Sequence, residues 1–114
     1  MENIDRKSWF LQYIFDLVVD HLRAQGKQSK QDGTCLYRSD DGCKCAAGFL
    51  IPDNVYCSEM EHKLVGDLSF FDSSFTSEQL KLINSLQVIH DRYIPSRGNL
   101  MEDWEPRWKK LARI

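Results

Sequence analysis

The chain has 114 residues, of which 42% are apolar and 28% charged, which is typical of one globular domain. A net charge of −2 argues against a general nucleic-acid binder and against an acidic mimic of DNA. No run of about 18 apolar residues predicts a membrane helix, and residues 9–19 lack the cleavage site of a signal peptide. We therefore predict a single domain, residues 1–114, in the cytoplasm, where its four cysteines are reduced.

The first predicted element is a helix over residues 8–25, because apolar side chains recur there at spacings of three and four. Ser8 or Asp5 is a candidate cap for its first turn. Gly26 follows the last turn, where glycine readily adopts a left-handed conformation. The apolar stripe of this helix consists of Phe10, Ile14, Leu17, Val18 and Leu22.

A cysteine-containing β-hairpin from Cys35 to Cys45 is the next predicted element, after a polar loop over residues 27–34. Two short strand-like runs flank the turn Ser39–Gly42, which ends in Asp-Gly. Whether Cys35 shares a face with Cys43 and Cys45 depends on the parity of that turn. Residues 47–51 then predict a strand extension or a helical turn.

Residues 58–66 predict a short capped helix that stops at Gly66. Residues 67–75 predict a loop whose aromatic side chains pack inward. A second long helix begins after Thr76, which has capping-box spacing to Gln79, and ends near Tyr93 because a proline follows.

The last predicted helix lies near residues 101–113, after a loop over 94–99. The expected fold class is therefore α+β, with a small antiparallel hairpin or three-stranded sheet packed against three to four helices. The helices over 8–25 and 76–93 are expected to pack on each other and on one face of the sheet.

Four short motifs resemble those of a family of small uncharacterised bacterial and phage proteins. The resemblance spans roughly residues 10–110, and a tryptophan follows the last motif. It implies a phage or prophage origin and an accessory role, and it brings no catalytic residues. The motifs are Cys35-x-Tyr37-Arg38, Gly42-x-Lys44-Cys45-Ala46-x-Gly48, Leu50-Ile51-Pro52-Asp53-x-x-Tyr56 and Leu86-Gln87-x-x-His90-Asp91.

A zinc site is one chemical hypothesis, because zinc prefers four thiolate or imidazole ligands. The spacing departs from that of zinc knuckles, since only one residue separates Cys43 from Cys45, as on one face of a strand. The favoured alternative is that the thiols are small core side chains. The candidate ligands are Cys35, Cys43, Cys45, Cys57 and His62.

A thiol enzyme is a second hypothesis, with Cys35 or Cys45 as nucleophile and His90 as base. Asp91 is an obvious group to orient the imidazole, but adjacent helical residues point in different directions. No protease or nucleophile-elbow signature surrounds any cysteine. We therefore predict no catalytic residues.

A nucleic-acid surface is a third hypothesis, since the last helix combines Trp104 and Trp108 with four basic residues. Its acidic start and basic end are also what a helix dipole favours. We expect the two tryptophans to pack in the core, and we expect no nucleic-acid partner.

Protein binding is the fourth hypothesis and the favoured one. We expect a non-enzymatic phage or prophage accessory protein that binds another protein, for example to inhibit a bacterial defence factor. The alternative is a zinc- or thiol-dependent protein using the hairpin cysteines with a histidine, and homo-oligomerisation stays open. The candidate anchors, chosen because aromatic and arginine side chains dominate interfaces, are Tyr37, Arg38, Lys44, Tyr56, Phe70, Phe75, Trp104 and Trp108.

Overall fold

The computed structural model describes residues 5–92 and 103–112, and these residues form an α+β fold. Five α-helices and one two-stranded antiparallel sheet lie within the described residues. In chain order the elements are a 3₁₀ turn Arg6–Ser8, α1 Leu11–Gln25, β1 Lys30–Gln31, β2 Thr34–Cys35, α2 Ala46–Leu50, 3₁₀ turns Ser58–Met60 and Val65–Asp67, α3 Ser69–Ser74, α4 Ser77–Arg92 and α5 Glu105–Ala112.

The helix predicted over residues 8–25 is confirmed as α1, and Gly26 follows it in the left-handed conformation with φ 72°. The predicted caps are wrong. Ser8 belongs to a separate 3₁₀ turn, where its hydroxyl donates to the Asp5 carbonyl. Phe10 occupies the N-cap position and makes no side-chain capping bond.

The sheet begins earlier than predicted, since three of its four paired residues lie in the expected loop over 27–34 and only Cys35 belongs to the predicted hairpin. Lys30 pairs with Cys35 and Gln31 with Thr34. Asp32 and Gly33 connect the strands with φ angles of 52° and 82°. Two consecutive positive φ angles are what a two-residue hairpin turn of type I′ requires. The Asp-Gly signal for this turn is therefore present in the sequence, but the paired residues are polar and show no apolar alternation.

The segment from Cys35 to Cys45 forms a turn with one isolated β-bridge, Arg38 to Lys44, and not two strands. Five residues, an odd number, lie between the bridged residues Arg38 and Lys44. Because β2 ends at Cys35, no strand connects Cys35 to this bridge, and the parity of the turn does not decide which face Cys35 shares. The second run cannot extend as a strand, because α2 begins directly after Cys45. The Cys45 thiol caps this helix by accepting from the Gly48 amide at 3.2 Å.

The segment over 58–75 also differs from the prediction. Two 3₁₀ turns replace the helix expected over 58–66, and Gly66 lies inside the second turn. Helix α3 replaces the expected loop. The inward packing of its aromatics is confirmed for Phe71 and Phe75, which are buried with their ring centroids 5.8 Å apart.

The capping box at the start of α4 is confirmed. The Thr76 amide donates to Oε1 of Gln79 at 2.7 Å, and the Gln79 amide donates to Oγ1 of Thr76 at 3.2 Å. The other end of the Gln79 amide group donates to the carbonyls of Arg6 and Trp9, so the same residue fixes the start of the chain. The predicted helix end at Tyr93, the loop over 94–99 and residues 101, 102 and 113 lie outside the described residues.

Helices α1, α2 and α4 pack around the main core, and Trp108 of α5 and Trp104, which directly precedes α5, complete it. Burial of these apolar side chains is the main stabilising contribution of the fold. Across residues 5–92 and 103–112, no helix combines the length and the apolar character needed to cross a membrane.

Candidate functional site

The buried imidazole of His90 joins α4 to the residues just before β1. The Ser29 backbone amide donates to Nε2 of His90 at 2.9 Å. Nε2 is therefore the acceptor nitrogen, and Nδ1 carries the ring proton. Nδ1 donates to Oδ1 of Asp91 at 2.7 Å. The expectation that these adjacent helical residues point apart is therefore wrong, because the Asp91 carboxylate reaches the imidazole ring of His90.

Two glutamines extend this network at both ends. The Gln28 side chain donates to the carbonyls of His90 and Asp91 at 2.8 and 3.2 Å, which satisfies acceptors in the last turn of α4. Gln87 donates to Oδ1 of Asp91 at 2.9 Å and accepts from the Ala47 amide at 2.8 Å. The Leu86-Gln87-x-x-His90-Asp91 segment therefore links α4 to both the sheet and the start of α2.

Cys35 lies next to His90 and Asp91 in this network. Its Sγ, a ring nitrogen of His90 and a carboxylate oxygen of Asp91 all lie within 4.8 Å of one another. Burial raises the pKa of the Cys35 thiol, and the negative charge and hydrogen bonding of Asp91 raise that pKa further. The raised pKa favours the protonated thiol, whereas a nucleophilic cysteine needs a depressed pKa.

The same three side chains resemble a metal site in composition, but their hydrogen bonds oppose metal binding. A ring nitrogen binds zinc through its lone pair. The lone pair of His90 Nε2 already accepts from Ser29, and Nδ1 carries the proton. Coordination at Nδ1 would move that proton to Nε2, directly against the Ser29 N–H group. The network therefore fits a structural polar cluster better than a metal centre.

The other predicted ligands do not join Cys35. Within the part of the chain that the structure describes, Cys35, His90 and Asp91 form the single cluster of potential ligands. Cys43 and Cys45 are buried, and Cys57 and His62 are exposed. Burial raises the pKa of the Cys45 thiol to about 12 and, together with hydrogen bonding to Asp41, raises that of Cys43.

Arg38, a predicted partner-binding residue, is held by groups of its own chain. Its guanidinium donates to the Ile51 carbonyl at 2.6 Å, lies 2.9 Å from Oδ1 of Asp53, and stacks 4.6 Å from the ring centre of Tyr56. Lys44, a second candidate, lies 3.6 Å from the same Asp53 carboxylate. These side chains hold the turn against the segment after α2.

Glu61 is an anchor of the same region that the sequence does not reveal. Its carboxylate accepts from the backbone amides of Tyr37 and Arg38 at 2.8 and 3.1 Å and from the Tyr56 hydroxyl at 2.7 Å. The Tyr37 hydroxyl in turn donates to the Lys63 carbonyl. Residues 61–63 are thereby fixed against the turn that follows β2.

Gly48 shows how tightly the motifs of the first half pack together. A Cβ atom on Gly48 would lie 2.0 Å from the carbonyl oxygen of Tyr37. No backbone tolerates that approach, so position 48 requires glycine. Two of the motifs therefore meet at the contact between Tyr37 and Gly48.

Three of the four remaining candidate anchors are core residues. Phe75, Trp104 and Trp108 are buried, and Phe70 is partly buried. Trp104 stacks on the His90 ring at 5.7 Å, and Arg23 lies over the Trp108 ring at 5.5 Å. The expected core packing of the two tryptophans is confirmed, so neither ring offers a surface for stacking bases.

An open cleft of about 470 Å³ lies next to Cys35, between residues 61–67 and one face of α4. Two exposed aliphatic side chains line it, Leu64 with 75% of its surface accessible and Val88 with 44%. Neither residue is among the candidates predicted from the sequence. The sequence gives one indication that Val88 is exposed, namely its position outside the apolar stripe of α4. It gives none for Leu64, which falls in the helix predicted over 58–66.

Comparison of the chain with protein-family models, with curated proteins and with solved structures finds no match. No relative therefore supplies a substrate, a ligand or a functional residue for this cleft. The resemblance to small phage proteins stays a prediction, and the chemistry of the site rests on the described residues.

Proposed function

We propose that this chain is a phage or prophage accessory protein that acts in the bacterial cytoplasm by binding another protein, such as a host defence factor that it inhibits. The observation that supports this most is the cleft beside Cys35, which leaves Leu64 and Val88 accessible. Accessible aliphatic groups flanked by polar side chains are common at protein-binding sites. The phage origin and the accessory role are what the resemblance of the motifs implies, and inhibition of a defence factor is one example of such a role.

The chemistry of the cleft favours binding over catalysis. Its one thiol, that of Cys35, has a raised pKa. His90, whose ring lies next to that thiol, uses both ring nitrogens in hydrogen bonds. A general base needs a free lone pair within reach of the proton it abstracts. The arrangement therefore supplies a rigid wall and no activated nucleophile.

A quantitative pull-down from bacterial lysates tests this proposal. The tagged chain is expected to retain one host or phage protein in stoichiometric amount, and Leu64→Glu is expected to abolish that retention. Phe10→Glu is a matched control, because Phe10 is 83% exposed and lies at the start of α1. Recovery of the chain alone from every host lysate, or equal retention by both variants, would contradict the proposal.

A zinc- or thiol-dependent protein is the second candidate, and one observation favours it. Cys35, His90 and Asp91 place three potential ligand atoms within 4.8 Å, at the wall of an open cleft. This candidate requires the Ser29 amide to release Nε2 of His90 when metal binds. Metal titration separates it from the first candidate.

A further inference from the structure

We propose that the cleft between residues 61–67 and α4 binds an extended peptide segment in which a lysine or arginine lies next to an aliphatic residue. This inference rests on the proposed function and specifies the partner's chemistry. The shape of the cleft, the sign of its charge and its accessible apolar groups each support it.

The shape of the cleft suits a short peptide segment. One wall is a single face of α4, formed by side chains spaced three, four and seven residues apart, and the opposite wall is the irregular segment 61–67. Leu36 and Tyr37 also line the cleft. The volume of about 470 Å³ lies within the range of about 300–1,000 Å³ that is usual for binding pockets. The α4 face consists of Asn84, Gln87, Val88 and Asp91.

The walls are fixed before any ligand arrives. Glu61 is bound by two backbone amides and the Tyr56 hydroxyl, and the Lys63 carbonyl accepts from Tyr37. On the other side, Gln87 bonds both Asp91 and the Ala47 amide. A preorganised cleft loses less entropy when it binds a ligand than a flexible one.

The charge of the cleft selects a cationic ligand. Three carboxylates line it, Glu61, Asp67 and Asp91, against one lysine, Lys63, and one histidine, His62. The chain segment 53–78, which includes residues 61–67, contains six carboxylates and one lysine. Oδ1 of Asp91 already accepts from Gln87 and His90, yet the side chain stays 40% exposed. An anionic ligand, such as a phosphate group of a nucleic acid, would meet repulsion from these carboxylates.

The accessible apolar groups explain why the ligand must also carry aliphatic carbon. Leu64 and Val88 are the exposed aliphatic side chains that line the cleft. A lysine or arginine can lay its methylene stem along such a group while its charged end reaches a carboxylate. An aliphatic neighbour in the peptide would cover the second group. Both contacts remove apolar surface from water, which a small cation alone cannot do.

A positional-scanning hexapeptide library, passed over the immobilised chain, tests this inference. Mass spectrometry of the retained peptides is expected to show about fivefold or greater enrichment of lysine or arginine over aspartate or glutamate at one position, with leucine, isoleucine or valine next to it. The enrichment should fall when salt rises, because exposed charges are screened. Equal retention of basic and acidic peptides, or acidic enrichment, would overturn the inference.

Two variants assign the enrichment to the cleft. Leu64→Ser and Asp67→Asn are expected to abolish it, whereas Phe10→Ser should leave it unchanged; each variant's melting temperature verifies its fold. Enrichment that survives in Leu64→Ser would overturn the inference. If a lysate protein is still retained by the chain while the library shows no basic preference, protein binding stands and the cleft assignment fails. If neither a protein nor a peptide class is retained, both fail.

Discussion

The Ser29 backbone amide donates to Nε2 of His90 across 2.9 Å. This single bond fixes the tautomer of a fully buried imidazole and sends its Nδ1 proton to Asp91. It also limits the role of Cys35, because neither nitrogen of the imidazole is then free to accept a proton from the thiol. Cys35, His90 and Asp91 have the composition of a catalytic or metal-binding set, but the bonds of His90 link α4 to the residue before β1.

Zinc titration tests whether these bonds oppose metal binding. We expect no stoichiometric, chelator-resistant zinc in protein purified without chelator. Metal at Nδ1 of His90 would move the ring proton to Nε2, where it would point at the N–H group of Ser29. The measurement is elemental analysis combined with calorimetric titration. One zinc per chain, lost in Cys35→Ser, would show that the Ser29 bond yields to metal and would favour the second candidate function.

Cysteine reactivity tests the protonation of Cys35. At neutral pH we expect Cys35 to react with iodoacetamide at least about tenfold more slowly than an ordinary exposed thiol, since only the thiolate reacts. Cys57, which is exposed, should be labelled first, and Cys45 last because it is fully buried. Peptide mass spectrometry over time resolves the four sites.

The variant Asp91→Asn tests whether the Asp91 carboxylate slows the labelling of Cys35. Removing the carboxylate charge lowers the pKa of Cys35 toward its ordinary value, so labelling of Cys35 should accelerate while that of Cys57 stays constant. Fast labelling of Cys35 in the wild-type chain at neutral pH would contradict the protonated state of this thiol and would favour a thiol-dependent mechanism.

Gly48 tests the packing of the motifs. We expect Gly48→Ala to destabilise the chain by about 3 kcal/mol or more, because the added Cβ meets backbone and not a movable side chain. Urea unfolding followed by circular dichroism measures the loss. Gly66→Ala is the control, since nothing lies within 4 Å of its added carbon. Equal stability of the two variants would contradict the described approach of Gly48 to Tyr37.

The two long helices were predictable because each has an apolar stripe of several turns and a recognisable terminus, Gly26 for α1 and the Thr76–Gln79 box for α4. The short elements were not. Helix α2 is capped by the thiol of Cys45 and by the distant Gln87 amide group, and no local pattern of residues encodes those partners. Tertiary contacts of this kind override local propensity.

The functional site was likewise predictable in part, because its residue types can be read from the sequence and its tertiary contacts cannot. The sequence singled out Cys35, His90 and Asp91, but their order of hydrogen bonding depends on Ser29, which lies 61 residues from His90 along the chain. Leu64 and Val88 became candidates only when the fold placed residues 61–67 opposite α4. Identity of chemical groups was readable from the sequence, while their mutual geometry was not.

His21 gives a pH dependence with a definite sign. Its ring stacks on Phe49 at 4.1 Å, and Nε2 donates to the Lys44 carbonyl at 2.9 Å. Burial lowers the pKa of His21 below 6.5, so the folded state favours the neutral ring. Its contribution to stability is complete above pH 6.5 and is lost as the pH falls from there through the folded-state pKa.

Urea unfolding at a series of pH values measures this contribution. The wild-type chain should lose more stability between neutral and mildly acidic pH than His21→Gln, which cannot titrate. A variant that loses as much stability as the wild type over the same interval would contradict the described environment of His21.

Site-specific photocrosslinking inside bacterial cells tests the central claim most directly, because it captures a partner of any identity. A benzophenone amino acid is placed at position 64 or 88 on the cleft, or at position 10 on the exposed start of α1. Binding through the cleft predicts one discrete heavier product from positions 64 and 88 and none from position 10. A product from position 10 alone, or none from either cleft position, would contradict protein binding through this cleft.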